Sequence, residues 1–218
     1  MSQRTDGIYS VLSIACLYRL VQRIVGAEKA RRIVVRDYLK PRSGETVLDI
    51  GCGPADILTH FPPVHYYGFD LSPAYIETAR RRFAGRGEFY SRNVTEIQPS
   101  DLPEFDLIIM ISLLHHLNDE EAAKLLSNLR PRLKTTGRLI SVDPCRIANQ
   151  NPIAKFLINN DRGQNIRTSA EYQALAAQAF TYVKATVRND LLNVPYSHAI
   201  IQCTFNFVAE NSDESPLS

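Results

Sequence analysis

Residues 47 to 58, VLDIGCGPADIL, place Asp49 two positions before Gly51 and four before Gly53, with Asp56 three positions further on. Glycines carry no side chain, so a ligand can approach the backbone closely there. An acid at the end of the apolar run can face a cationic group on that ligand. Asp70 closes Tyr66-Tyr67-Gly68-Phe69-Asp70, where a carboxylate can accept from both hydroxyls of a ribose. Asn93 can accept from an adenine amino group through its side-chain oxygen, and Val94 can offer a backbone donor. His115 and His116 are suited to general-base work by an ordinary pKa of about 6.5. Asp143 is a further pocket acid, and Arg162 and Arg167 can clamp a carboxylate or phosphate.

Each of these groups has a plainer reading. The glycines can form a tight turn, Asn93 an ordinary turn, and Asp143 a solvated strand end. The histidine pair can pack and start a helix, and Asp161 with Arg162 can brace a loop. His198 reads as structural.

Elements must bring these residues together. Apolar positions at Leu12, Cys16, Leu17, Leu20, Val21 and Ile24 predict an amphipathic helix, and Gly26 separates it from a second helical stretch, Glu28 to Tyr38. Strands are predicted at 46–50, 64–70, 87–91, 105–111 and 138–143, with helices at 73–83 and 119–133. That alternation implies a largely parallel sheet covered on both faces, an α/β fold. Ser72 before Pro73, and Asn118 before Asp119, Glu120 and Glu121, are helix-start signals; Pro54 suits a first helical turn, and Gly137 a helix end. Residues 149–168 are turn-rich around an apolar piece, 153–158. A helix at 170–179 follows, and then two strands, 183–189 and 198–207, that read as an antiparallel edge hairpin. The chain is expected to be one domain over 1–207, with a helical arm (1–44), a core (45–207) and a frayed tail (208–218).

The 218 residues are 44% hydrophobic and 22% charged, with a formal net charge of +2. So mild a balance weighs against a nucleic-acid partner. Cys16, Cys52, Cys145 and Cys203 lie far apart, without the spacing of a disulfide framework or a zinc site, so no metal is expected and a reducing cytoplasm fits. The apolar stretch 11–17 lacks a basic leader and reads as helix. No apolar run reaches the ~18 residues of a membrane span.

The ligand of the glycine loop has two candidates. A dinucleotide site uses G-x-G-x-x-G, and Asp56 stands where the third glycine belongs. Asp49 favours a ligand bearing a cation, and S-adenosylmethionine offers an ammonium and a sulfonium. Asp70 reports a ribose and does not separate the two.

Taken together, VLDIGCGPADIL, YYGFDLSPAYIETARRR, FYSRNVTEI and FDLIIMISLLHHLNDEEAAKLLSNLRPRLKTTGRLISVDP resemble, in order and spacing, the motifs of the class I, seven-stranded S-adenosylmethionine-dependent methyltransferases, small-molecule branch. The resemblance covers about Thr46 to Pro144. It implies a three-layer Rossmann-like sandwich with strand order 3-2-1-4-5-7-6 and an enzyme that methylates oxygen, nitrogen or carbon of a small molecule. It assigns cofactor contacts to Asp49, Gly51, Cys52, Gly53, Asp70, Leu71, Asn93, Val94 and Ile111. By their places at strand ends His115 and Asp143 are the candidate catalytic residues, and Arg162 and Arg167, in the long connection after the fifth strand, are the candidate substrate contacts. Tyr9 and Arg19 would close over the cofactor's methionine carboxylate. The chain departs from the pattern at Arg92-Asn93, where many relatives carry Gly-Asp or Ala-Asp. Ile111-Ser112-Leu113-Leu114 replaces an Asn-Pro-Pro-Tyr-type motif, which weighs against nucleobase or glutamine amino groups as acceptors. A catalytically silent cofactor-binding subunit and a nicotinamide-dependent oxidoreductase remain the alternatives.

Overall fold

The computed structural model describes residues 25–93, 102–160 and 163–206. The predicted helix at 12–24, Tyr9, Arg19, Val94, Asp161, Arg162 and the tail lie outside the described residues.

Seven strands form one sheet: β1 Thr46–Ile50, β2 His65–Asp70, β3 Gly87–Ser91, β4 Phe105–Ile111, β5 Leu133–Pro144, β6 Tyr182–Arg188 and β7 His198–Thr204. Their order is β3-β2-β1-β4-β5-β7-β6. The pairs from β3 to β5 are parallel, and β7 runs antiparallel to both β5 and β6. Helices α1 Ala27–Val34, α2 Pro73–Arg82, α3 Asp119–Leu129, α4 Pro152–Asn159 and α5 Ser169–Ala177 accompany them among the described residues. The fold is the seven-stranded α/β sandwich that the resemblance implies.

Both sheet faces are covered, so the central strands are apolar at nearly every position. Leu48, Ile50, Ile108 and Met110 enter one core with Leu125, Leu126 and Tyr172. Val47, Leu107, Ile109 and Ile140 enter the other with Leu58, Phe61, Ile76 and Leu39. Arg138 ties the helical arm to the sheet by donating to the Leu39 and Lys40 carbonyls at 2.7 to 2.9 Å and to both Glu45 carboxylate oxygens. A π-helical turn, Val35–Leu39, extends α1, and a cation at the carbonyls that end it offsets the negative pole of the helix dipole.

Three expectations are corrected. Pro54 does not open an α-helix; only a five-residue 3-10 turn, Asp56–His60, follows the glycine loop. Pro62 and Pro63 explain this, because a residue before proline is driven to extended backbone, and Phe61 has φ −94° and ψ 145°. Helix α3 stops at Leu129, since Pro131 cannot donate to the preceding turn. Gly137 therefore lies inside β5, at a register shift opposite Phe105 and Leu107. A Cβ there would stand 2.9 Å from the Phe105 carbonyl oxygen. The apolar piece at 153–158 is a helix, α4, capped by Asn151, which accepts from the Ile153 N–H at 2.9 Å.

Candidate functional site

Parallel strands bring the carboxyl ends of β1, β2, β4 and β5 to one edge, the place where open α/β sheets bind ligands. Gly51, Gly53, Asp70, Ile111 and Asp143 meet there. Beyond β1, the Gly51 and Cys52 N–H groups donate to the Phe69 carbonyl at 2.7 and 3.0 Å, folding the loop back over β2. Gly51 has φ 75° and Gly53 φ 55°, backbone that favours glycine. Nothing lies within 4 Å of where a Gly53 Cβ would be, so the loop presents open backbone.

Asp70 braces that loop. One carboxylate oxygen accepts from the Gly53 N–H at 2.9 Å and the other from the Ser72 N–H at 2.8 Å. A carboxylate oxygen can accept more than one donor, so both oxygens keep capacity for ribose hydroxyls. Leu71 beside it is 65% exposed, an apolar surface on which a base can lie. Asn93 follows the end of β3 and Ile111 ends β4, half-buried. Leu113 packs on Gly51, with its Cδ1 3.3 Å from the position of an added Cβ.

Asp49 is 97% removed from solvent, and Tyr66 donates its phenol to the carboxylate at 2.5 Å. Burial pushes this carboxyl up to about 7; the Tyr66 hydrogen bond pulls it down and the charge of Asp70 adds to the rise. Among the described residues no cation pairs with Asp49. The neighbouring Cys52 thiol is held well above its ordinary range by burial, then by Asp49 and Asp70, so it stays protonated and Cys52 serves the loop through its backbone.

At the ends of β4 and β5 the structure joins the two predicted catalytic residues. His115 Nδ1 lies 2.9 Å from Asp143 Oδ1, and the His115 N–H donates to the same oxygen at 3.2 Å. Ser141 donates its hydroxyl to the other oxygen of Asp143. Both members are buried, His115 to 3% and Asp143 to 1% exposure. Gly163 covers the imidazole so closely that an added Cβ would come within 1.9 Å of His115 Cδ2. Asp143 is thus not a solvated strand end.

One expectation about charge is corrected. Arg167 is not a substrate clamp: it is 8% exposed, and each of its five N–H groups already has an acceptor. Nε and Nη2 donate to Asp119, Nη2 also to the Leu117 carbonyl, and Nη1 to the Leu114 and Asn165 carbonyls, all between 2.6 and 3.1 Å. It fastens the segment before α5 to the loop after β4. Asp56 turns to the protein: Arg31 pairs with it at 3.0 Å and Arg82 donates to its other oxygen, so the dinucleotide pattern departs here only by its missing glycine.

His198 faces Pro144 in the sheet register, and burial lowers it to about 4, a neutral structural histidine at pH 7. Among the described residues no group of three or more His, Cys, Asp and Glu side chains is placed to hold a metal. No helix among them is long and apolar enough to cross a membrane. Tyr66 and Ser141 were not singled out by the sequence. Gly68, a glycine inside a strand, is the signal for the first, since such a position marks a close approach; nothing local announces the second.

The family described as "Methyltransferase domain" matches residues 48–139. The chain is 31% identical over 134 residues, 55% of its length, to the malonyl-[acyl-carrier protein] O-methyltransferase of Paenibacillus sp. (strain JDR-2). It is 27% identical over 196 residues to the phosphoethanolamine N-methyltransferase of Plasmodium falciparum (isolate 3D7), covering 87% of this chain and 71% of that one. The fold matches the solved mitomycin 7-O-methyltransferase MmcR with a TM-score of 0.63 over 81% of this chain at 18% identity. The chain spans about half the length of the first relative and of the solved structure, 46% and 53%. Residues 48–139 thus match a methyltransferase domain, and the sheet that holds them has the strand order 3-2-1-4-5-7-6 that the resemblance implies.

Proposed function

We propose that this chain transfers a methyl group from S-adenosylmethionine, in line, to an oxygen or nitrogen of a small molecule in the cytoplasm; carbon is the third candidate acceptor. The observation that carries the reading is the conjunction at one sheet edge of an open glycine loop, Asp70 and the buried Asp49, with which no cation among the described residues pairs. Bound there, the cofactor supplies a methyl on a sulfonium whose thioether is already a good leaving group, so holding the partners in line is the main catalytic task. The Gly51–Gly53 backbone would meet the methionine end, Asp49 its ammonium, Asp70 the ribose hydroxyls, and Leu71 and Asn93 the adenine.

His115 is the proposed base. With Asp143 ionised, Nδ1 carries the proton and Nε2 is the ring's acceptor, oriented as in other histidine–carboxylate pairs. One observation favours a second reading, a cofactor-binding subunit without turnover: Gly163 covers the imidazole. The two relatives described above act, by their names, on an oxygen and on a nitrogen, and the acceptor class here follows them. Incubating the protein with S-adenosylmethionine and a panel of small carboxylic acids, phenols and amines should release S-adenosylhomocysteine with at least one of them. Cofactor binding with no turnover across all three classes supports the silent reading.

A further inference from the structure

The Asp49 carboxylate is buried with no cation beside it among the described residues, a costly arrangement unless some group holds it in a useful state. The group that does so comes from β2. Tyr66 reaches Asp49 diagonally across the sheet, since Asp49 is in register with Gly68 and Val47 with Tyr66. Two glycines make the space for its ring. A Cβ on Gly68 would come within 3.0 Å of Tyr66 Cε1, and one on Gly87 within 3.1 Å of Tyr66 Cδ1. Phe61 and Phe89 pack against the same ring, at centroid distances of 6.4 and 5.7 Å. Burial and the neighbouring acid keep the phenol protonated, so Tyr66 is a fixed donor.

We propose that Tyr66 is a positioning residue for a cationic ligand: its phenol holds the Asp49 carboxylate under the glycine loop and keeps it available to meet an ammonium. This rests on the reading of the site given above. The titratable groups facing Asp49 are Tyr66 and Asp70 of β2, with Cys52 of the loop beside them. Tyr66 favours the ionised form, and burial and Asp70 oppose it. An ammonium that binds while Asp49 is protonated displaces that proton to solvent, so affinity for the cation rises with pH as the proton becomes easier to remove. Removing the phenol leaves burial and Asp70 unopposed and moves that rise to higher pH.

The test is the affinity of the purified full chain for S-adenosylmethionine, measured by calorimetry from pH 6 to 9, for the wild type and Tyr66→Phe. Methylthioadenosine, which keeps the nucleoside and lacks the ammonium, is the control. The variant should bind S-adenosylmethionine about tenfold more weakly at pH 7, the worth of a hydrogen bond to a charged group, with its pH midpoint raised by about one unit. Methylthioadenosine affinity should stay within twofold. In the ligand-free proteins, carbon-13 detection of the Asp49 carboxyl should show the same upward shift, independently of any ligand. An unmoved midpoint, or an equal loss for both ligands, overturns the role of Tyr66 alone. A wild type that binds no S-adenosylmethionine at any pH overturns the reading of the site and this inference with it.

Discussion

His115 Nδ1 and Asp143 Oδ1 lie 2.9 Å apart, joining the loop after β4 to the end of β5 across 28 residues of sequence. Both side chains are almost sealed from solvent, and Ser141 supports the carboxylate from within the same strand. The arrangement fixes the imidazole whether it serves as a base or as a brace, and the two roles separate in kinetics.

His115→Ala should lower kcat by about a hundredfold or more, the usual span for a general base, while cofactor affinity changes by no more than a few-fold. Steady-state kinetics with direct cofactor titration decides it. An unaltered maximal rate assigns the dyad to structure alone.

Asp70→Ala removes the acceptor of the Gly53 and Ser72 N–H groups and, in the proposed site, of two ribose hydroxyls. Each bond to the charged oxygen is worth roughly 1.5 to 3 kcal/mol at most, so affinity should fall tenfold or more. Adenosine, which carries the same ribose, should lose affinity alongside S-adenosylmethionine. Unchanged affinity for both would refute the ribose role.

Asp49 makes the ligand-free protein less stable as pH rises. Its carboxyl is raised in the folded chain from the ordinary 3.8 to about 7, so the native state keeps a proton that the unfolded chain has given up. Stability is therefore greatest below about pH 4 as far as this group is concerned, and falls through the window from 4 to 7. Asp49→Asn should remove that fall and stabilise the ligand-free protein at pH 8 by about 2 to 4 kcal/mol, while weakening S-adenosylmethionine. Thermal melts at pH 5 and pH 8 check it: a variant no more stable than wild type at pH 8 contradicts the assignment.

Arg167→Ala should cost stability and spare cofactor binding. The substitution strands the Leu114 and Leu117 carbonyls, at about 1 to 3 kcal/mol for each buried group left without a partner, and Tm should drop by roughly 5 to 10 °C. A cofactor-binding defect at unchanged Tm would restore a ligand role.

Strand boundaries at β1 and β4 are legible in the sequence because apolar runs between turn signals have only one way to be buried in a covered sheet. The capped starts of α2 and α3 are legible because Ser72 and Asn118 satisfy helix N–H groups locally. Helix ends and the turn after β1 depend on proline two to six positions further along, which periodicity alone underweights. The site divides the same way. Asp49, Gly51, Gly53 and Asp70 stand at strand ends, so sequence position alone puts them at the edge where a ligand binds. Arg167 fails as a ligand group because its partner, Asp119, lies 48 residues away in sequence and comes from another element. Tyr66 escaped notice because an aromatic in a strand reads as core, and only the register with Gly68 sends its hydroxyl to Asp49.

Titration calorimetry of the purified protein with S-adenosylmethionine and, separately, with NAD at pH 7.5 tests the central claim most directly. Saturable one-to-one binding of S-adenosylmethionine, lost by tenfold or more in Asp70→Ala and accompanied by no binding of NAD, is the predicted result. Binding of NAD with no binding of S-adenosylmethionine would contradict it.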